Sequence, residues 1–575
     1  MNRYFKILLL IIFATVCVQA KTQAPVVSGT LGITYEGYGL NVNPTGSGIY
    51  TPRRPWNQLR FNFAPNFQFG KNFSLPFNFN FAALPSNFAG PYSGFGSGIA
   101  KQNFGQWLTN PANNFSINPK FKSTEILLGT QYIKYSDLTT GDIGVFGAGF
   151  NIHPGRFIFR FFTGTSQQGI DYVAPPPAPG ITGAYKRNHY MFQIGTEVEG
   201  SHKAIFSFSK GKDIINSITS FPLLIKPQEG FNMSLLIEKY LKKGWFFNME
   251  GAHGYFTQDL TQPLVPGGDY SFKPFITANV STTHDFAGEL NAGKKSKNFD
   301  ISYATKYIGA GYQTTGYAYL QPDHWDNTLN TRFNAWKNKI NVTASVGERI
   351  NNLSSTTLRG TQLLGNLNWF TQFNDHFSLN ITYNNFGFQT ASGTNPFGIK
   401  NVSNDFGVSP TYTWTNTTMV NIITANYNYS KYDERDVITG IVTSNNTHTA
   451  LVTYVPVFLN RQITPDFSLL YFSNTMPLVK NTFVTISSGL GMLVAKKKIQ
   501  LRGQLQYTIG KLNAFTPNNN LIASCNVDWK INKKLSWNSF FSTNYFKYGN
   551  ELGTSALTGA NYLESSVRTG LQYKF

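Results

Sequence analysis

The sequence predicts an all-β chain, a single large antiparallel transmembrane β-barrel of about 24 strands, within a range of about 22 to 26. Three observations carry this expectation. Apolar and polar residues alternate with a period of two along most of the chain, and no sustained 3.6-residue stripe follows the first twenty residues. Aromatic residues make up 15% and charged residues only 13%, a balance suited to a surface that is greasy on one side and polar on the other. After the N-terminal segment there is no run of about eighteen apolar residues, which excludes helical spans and leaves the bilayer open to strands.

At the N-terminus, Arg3 and Lys6 precede the apolar run Leu8 to Ala14, and Val18-Gln19-Ala20 offers small residues for cleavage. Residues 1–20 therefore read as a signal peptide, and 21–575 as the barrel. Acylation at Cys17 is disfavoured because Val16 stands where a lipoprotein signal wants a small residue. Beyond it only Cys525 remains, so no intramolecular disulfide is expected.

The strand pattern is plainest in IQLRGQLQYTI, which sets Ile499, Leu501, Leu505, Tyr507 and Ile509 on one face and Gln500, Arg502, Gln504 and Gln506 on the other. LIASCNVDWKI (521–531) alternates equally well. A soluble β-sandwich would share this period. The strands are long enough to cross a bilayer at a tilt, however, and their apolar faces carry Trp245, Trp369, Trp529, Trp537 and Tyr545 near their ends, as an interfacial girdle requires. The count is least certain between Phe115 and Gly164, which holds three strands or four.

One internal stretch interrupts the texture. Residues 84–114 form a long segment whose Phe88, Tyr92, Phe95, Phe104 and Trp107 give it reason to pack, either inside the lumen or over the mouth. A barrel of this width is too wide to be filled by its own wall, so it conducts or is plugged.

The chain ends in VRTGLQYKF, with Leu571, Tyr573 and Phe575 on one face. A sheet in a bilayer has no tolerable edge, so the last strand must pair with the first. This ending resembles the C-terminal signature of Gram-negative outer-membrane β-barrel proteins. The resemblance implies residence in the outer membrane, contact with its lipid, and recognition of Leu571, Tyr573 and Phe575 by the barrel-assembly machinery. In length the chain is similar to TonB-dependent transporters, but strand-like sequence beginning by Gly29 or Trp56 leaves no room for their N-terminal plug.

If Phe575 marks a periplasmic end, short turns alternate with longer loops, and the turns collect lysine. Lys71, Lys242, Lys243, Lys294, Lys295, Lys337, Lys339, Lys496, Lys497, Lys498, Lys533 and Lys534 would then form a periplasmic basic rim, gathering part of the net charge of +20. The simpler alternative is that lysine solubilises turns. On the polar faces, Arg349, Arg502, Asp528, Lys530, Arg568 and Lys574 are lumen-facing selectivity candidates, and their cationic excess implies a modest anion preference unless they form a structural charge network.

No catalytic, cofactor or metal constellation stands out. GELNAGKKS (288–296) has the outline of a P-loop, but Lys295 occupies the position of the magnesium-holding Ser or Thr and the setting is strand and turn. The eight histidines are scattered without a zinc motif. The basic charge lacks the aromatic-basic pattern of nucleic-acid binding. The expected role is a pore for polar solutes, loop-gated or open. The alternatives are a sealed barrel anchoring external loops, Asn385 to Asn404 and Asp433 to Asn446 among them, or a transporter with a separate periplasmic or lipoprotein partner.

Overall fold

Runs of ten or more alternating residues become strands wherever Gly, Asn, Lys or Pro bounds them, because the period of two suits only an extended chain. The structure, a computed structural model, describes residues 25–43, 57–83, 114–141, 143–172, 183–220, 225–265, 275–317, 319–356, 359–389, 400–435, 442–459, 462–513, 516–549 and 561–575. The expected signal peptide and the packing expected of Phe88, Tyr92, Phe95, Phe104 and Trp107 lie outside the described residues.

In chain order the strands are β1 (Val26–Asn43), β2 (Asn57–Phe69), β3 (Phe73–Ala83), β4 (Asn114–Ile117), β5 (Lys120–Phe121), β6 (Thr124–Ile133) and β7 (Ile143–Ile152). Next come β8 (Phe157–Gln167), β9 (Lys186–Val198), β10 (His202–Ile214), β11 (Glu229–Tyr240), β12 (Trp245–Thr257), β13 (Thr282–Lys295) and β14 (Phe299–Ile308). The ring continues through β15 (His324–Ala335), β16 (Ile340–Asn351), β17 (Gly360–Gln372), β18 (Phe377–Gln389), β19 (Lys400–Thr415), β20 (Met419–Arg435) and β21 (Val442–Phe458). It ends with β22 (Ile463–Thr475), β23 (Lys480–Val494), β24 (Ile499–Leu512), β25 (Asn518–Lys530), β26 (Leu535–Lys547) and β27 (Asn561–Lys574).

Each strand pairs antiparallel with its neighbours, and β27 returns to β1 from Thr30↔Lys574 to Asn43↔Asn561. Reciprocal backbone bonds of 3.2 Å between Gly29 and Phe575 finish the seam. No edge is left. β4 and β5 occupy one position, interrupted at Pro119, which has no N–H to offer a ladder. The barrel thus has 26 strands, the top of the expected range, with four ring positions between Phe115 and Gly164.

Register fixes the faces, since directly opposed residues point the same way. Leu501 opposes Val527, and Tyr573 opposes Leu31, on the face that also carries Trp245, Trp369, Trp529, Trp537 and Tyr545. That face is the outer one, and it leaves large apolar side chains uncovered, Leu505 at 53% and Ile486 at 60%. Gln504, Asn526 and Gln572 belong to the inner face. Along the outer face these side chains have no protein core to pack into.

An even strand number puts both ends of the barrel chain at one rim. The same rim holds the short turns β2–β3, β7–β8, β11–β12, β13–β14, β15–β16, β23–β24 and β25–β26. The opposite rim carries the longer connections. The described parts of Asn385 to Asn404 and Asp433 to Asn446, residues 385–389, 400–404, 433–435 and 442–446, are strand there, as arms of the β18–β19 and β20–β21 hairpins. GELNAGKKS runs along β13 into its turn.

Candidate functional site

The inner face divides into two sectors. Over β10 to β13 it carries a run of small residues, Ser207, Ser209 and Gly211 on β10 facing Ser234, Asn232 and Gly230 on β11, with Ala252 and Gly254 on β12 and Ala287 on β13. Small side chains leave a hollow in the wall. Two inserts occupy it: segment 134–141 between β6 and β7, and segment 309–323 between β14 and β15.

The first insert is a tight turn. Ser136 Oγ accepts from the backbone N–H of Leu138 (3.0 Å) and Thr139 (3.1 Å), and donates to the carboxylate of Glu250 on β12. Gln193 on β9 donates to the Tyr135 carbonyl (2.7 Å) and to Ser207 (2.8 Å). The second insert is pinned by Asp285, which accepts from the Gly311 N–H (2.9 Å), and by Asn232, which donates to the Gln313 carbonyl (2.9 Å).

Rooted with eight strands, β7 to β14, between them, the inserts meet. Leu138-Thr139-Thr140-Gly141 faces Gln313-Thr314-Thr315-Gly316, so the same tripeptide, Thr-Thr-Gly, stands on both sides of the contact. The Gly141 N–H donates to the Gly316 carbonyl (3.1 Å), and Thr140 and Gly316 form a parallel bridge. Thr314 Oγ1 donates to the Thr139 carbonyl (2.6 Å), and Tyr312 Oη to the Leu138 carbonyl (2.9 Å). A Cβ at position 316 would lie 2.7 Å from the Thr139 oxygen, so only glycine permits this approach. Beneath the contact, Leu138 and Tyr312 pack with Ala252, Ala287 and Ile308. Burial raises the Tyr312 hydroxyl well above the ordinary phenol range. Burial likewise raises Tyr135, against the opposing pull of Arg160.

Elsewhere the inner face stays open among the described residues. Asn366, Asn368, Arg502, Gln504, Arg568 and Gln572 are exposed on it. The six lumen-facing candidates of the sequence all fall on this inner face, but in different company. Arg349 grips Asp326 with two bonds of 2.6 and 2.7 Å and reaches Gln321 of the second insert at 3.5 Å. Arg502 pairs with Asp466 at 3.2 Å, not with Asp528, which instead accepts from Asn526 at 2.7 Å. Arg568 shares Glu36 with Arg60, at 3.6 and 3.7 Å. Lys530 and Lys574 are exposed toward the short-turn rim. Carboxylates that the sequence reading did not single out, Glu36, Asp326 and Asp466, therefore offset the cationic excess expected from the six.

The twelve turn lysines all belong to connections on the rim that holds the chain ends, or to the strand residues beside them. Leu571 and Tyr573 face outward, and the Phe575 ring lies against Tyr573 and Phe63, with centroids 6.1 and 6.3 Å apart.

Among solved structures, the chain is similar to the translocation pore of the P pilus usher PapC, at 9% identity over 95% of this chain and 99% of that one, TM-score 0.37. It is also similar to the ferric enterobactin receptor PfeA of Pseudomonas aeruginosa (11%, 95% and 80%, TM-score 0.43) and to OccAB3 of Acinetobacter baumannii (9%, 65% and 98%, TM-score 0.30). The fold itself, a closed antiparallel barrel of 26 strands, is read from the chain's own strand pairing. No family model matches the chain, and no curated protein does. At these identities the likeness concerns architecture alone, so function rests on the barrel's own geometry.

Proposed function

We propose that this barrel resides in the Gram-negative outer membrane and passes polar solutes through a lumen narrowed on one side by the two inserts. The observation that carries the reading is the contrast between sectors: a dry, hydrogen-bonded one under the inserts and a wet one where Asn366, Asn368, Gln504 and Gln572 stay exposed. Water beside neutral amides suits passage of uncharged or zwitterionic solutes more than strong ion selection, because the lumen arginines are paired. Arg349 is assigned to holding the second insert, and Arg502 and Arg568 to the wall of the path.

Single-channel recording in planar bilayers tests this. Stable open conductance is expected. A barrel that inserts and folds yet never conducts would reject the pore and favour the second reading, a sealed anchor, for which the joined inserts are the supporting observation. Assembly through the C-terminal strand belongs to either reading.

A further inference from the structure

The short-turn rim carries a charge pattern that neither strand pairing nor the lumen uses. Acidic residues in its turns are confined to Glu199 and Asp375. Among the described residues, Lys71, Lys242, Lys243, Lys294, Lys295, Lys337, Lys339, Lys496 to Lys498, Lys533 and Lys534 form no ion pair. Their backbone setting is also unusual. Lys243, Lys337, Lys496 and Lys497 sit at φ of 62°, 55°, 57° and 66°, in the left-handed region where Gly or Asn is the ordinary occupant of a tight hairpin. Local conformation therefore argues against lysine at these positions, and solubility alone would be met by Asn or Asp.

Height on the barrel supplies the other half of the argument. Exposed outer-face aromatics lie beside these turns, Trp245, Phe299, Trp529 and Tyr573, and Trp336 is exposed within one of them. Such a belt marks the level of the membrane interface. Lys294 Nζ stands 5.9 Å from the Trp245 ring, placing an ammonium at the belt itself. The charges recur in six hairpins spaced around the ring, whereas a protein partner covers one continuous patch.

We infer that this rim is a collar that gathers anionic phospholipid headgroups from the adjoining leaflet around the barrel. It holds whether or not the barrel conducts. Each turn presents an ammonium at the depth of the lipid phosphates, and the paired aromatics fix that depth.

The full barrel, reconstituted into vesicles of phosphatidylcholine with phosphatidylglycerol, would be examined by spin-labelled lipid association. Several-fold preference for the phosphatidylglycerol label is expected, falling toward parity at 1 M salt, where the screening length is about 3 Å. Lys496→Asn with Lys497→Gly, combined with Lys337→Asn and Asn338→Gly, installs residues better suited to these turns, so folding is retained while the preference drops. Lys496→Arg with Lys497→Arg keeps it. Parity in the parent protein overturns the inference, and so does a preference undiminished in the Asn/Gly variant. Parity for lipid together with salt-sensitive binding of a soluble acidic protein also overturns it, assigning the rim to a protein.

Discussion

Glu250 shows how much one inner-face residue decides. It is nearly fully buried, stands directly opposite Glu289 across the β12–β13 ladder, and takes the Ser136 hydroxyl that shapes the first insert. Lys306 lies 3.6 Å from Glu289 and relieves the like-charge pairing. Removing the acceptor by Glu250→Ala forfeits a charge-assisted bond of about 1.5–3 kcal/mol. That is roughly tenfold to a hundredfold in the population of a released insert. More frequent conductance steps are expected in Glu250→Ala, with Glu250→Gln close to the parent because it still accepts from Ser136. Identical traces for all three would show that Ser136 does not hold the insert in place.

The two inserts behave as one element because each completes the other. Gly316 is a tight point of contact, where a Cβ would lie 2.7 Å from the Thr139 oxygen, and Gly316→Val overpacks it at a cost of about 1–3 kcal/mol. Spin labels at Asp137 and Tyr319, in a cysteine-free background with Cys525→Ser, are expected to report a longer and broader distance in that variant. An unchanged distance distribution would mean the inserts do not depend on each other. This element was the least legible part of the sequence. Alternation revealed strands because a strand's surroundings repeat every two residues, and turn lysines could be ordered along the rim by counting hairpins. The inserts have no period. Their signal was the repeated Thr-Thr-Gly at 139–141 and 314–316 together with the run of Ser, Gly and Ala on the inner faces of β10 to β13. Neither is conspicuous until the two segments are seen in contact. Among wall charges, the arginines could be found by parity, but their partners Glu36, Asp326 and Asp466 depend on register between strands, which a single strand's pattern does not contain.

At the scale of the whole barrel, charge is sorted by place: paired along the lumen, unpaired at one rim. Reversal potentials in a salt gradient are expected to show weak selectivity in the parent. Neutralising Glu36→Gln with Asp466→Asn frees Arg60, Arg502 and Arg568 and is expected to move the reversal potential toward anions. A shift toward cations, or none, would place these residues off the conducting path.

The ring is continuous but not uniform. Where β1 meets β27 the ladder runs through fourteen opposed residues, whereas β6 is held by β4 and β5 through only two apiece, on either side of Pro119. A zip with missing teeth parts there first. Under heat or chaotrope, lateral rupture should begin between β4/β5 and β6 and travel outward, so amides of Thr124 to Ile133 would be the first in any strand to trade their hydrogens with the solvent.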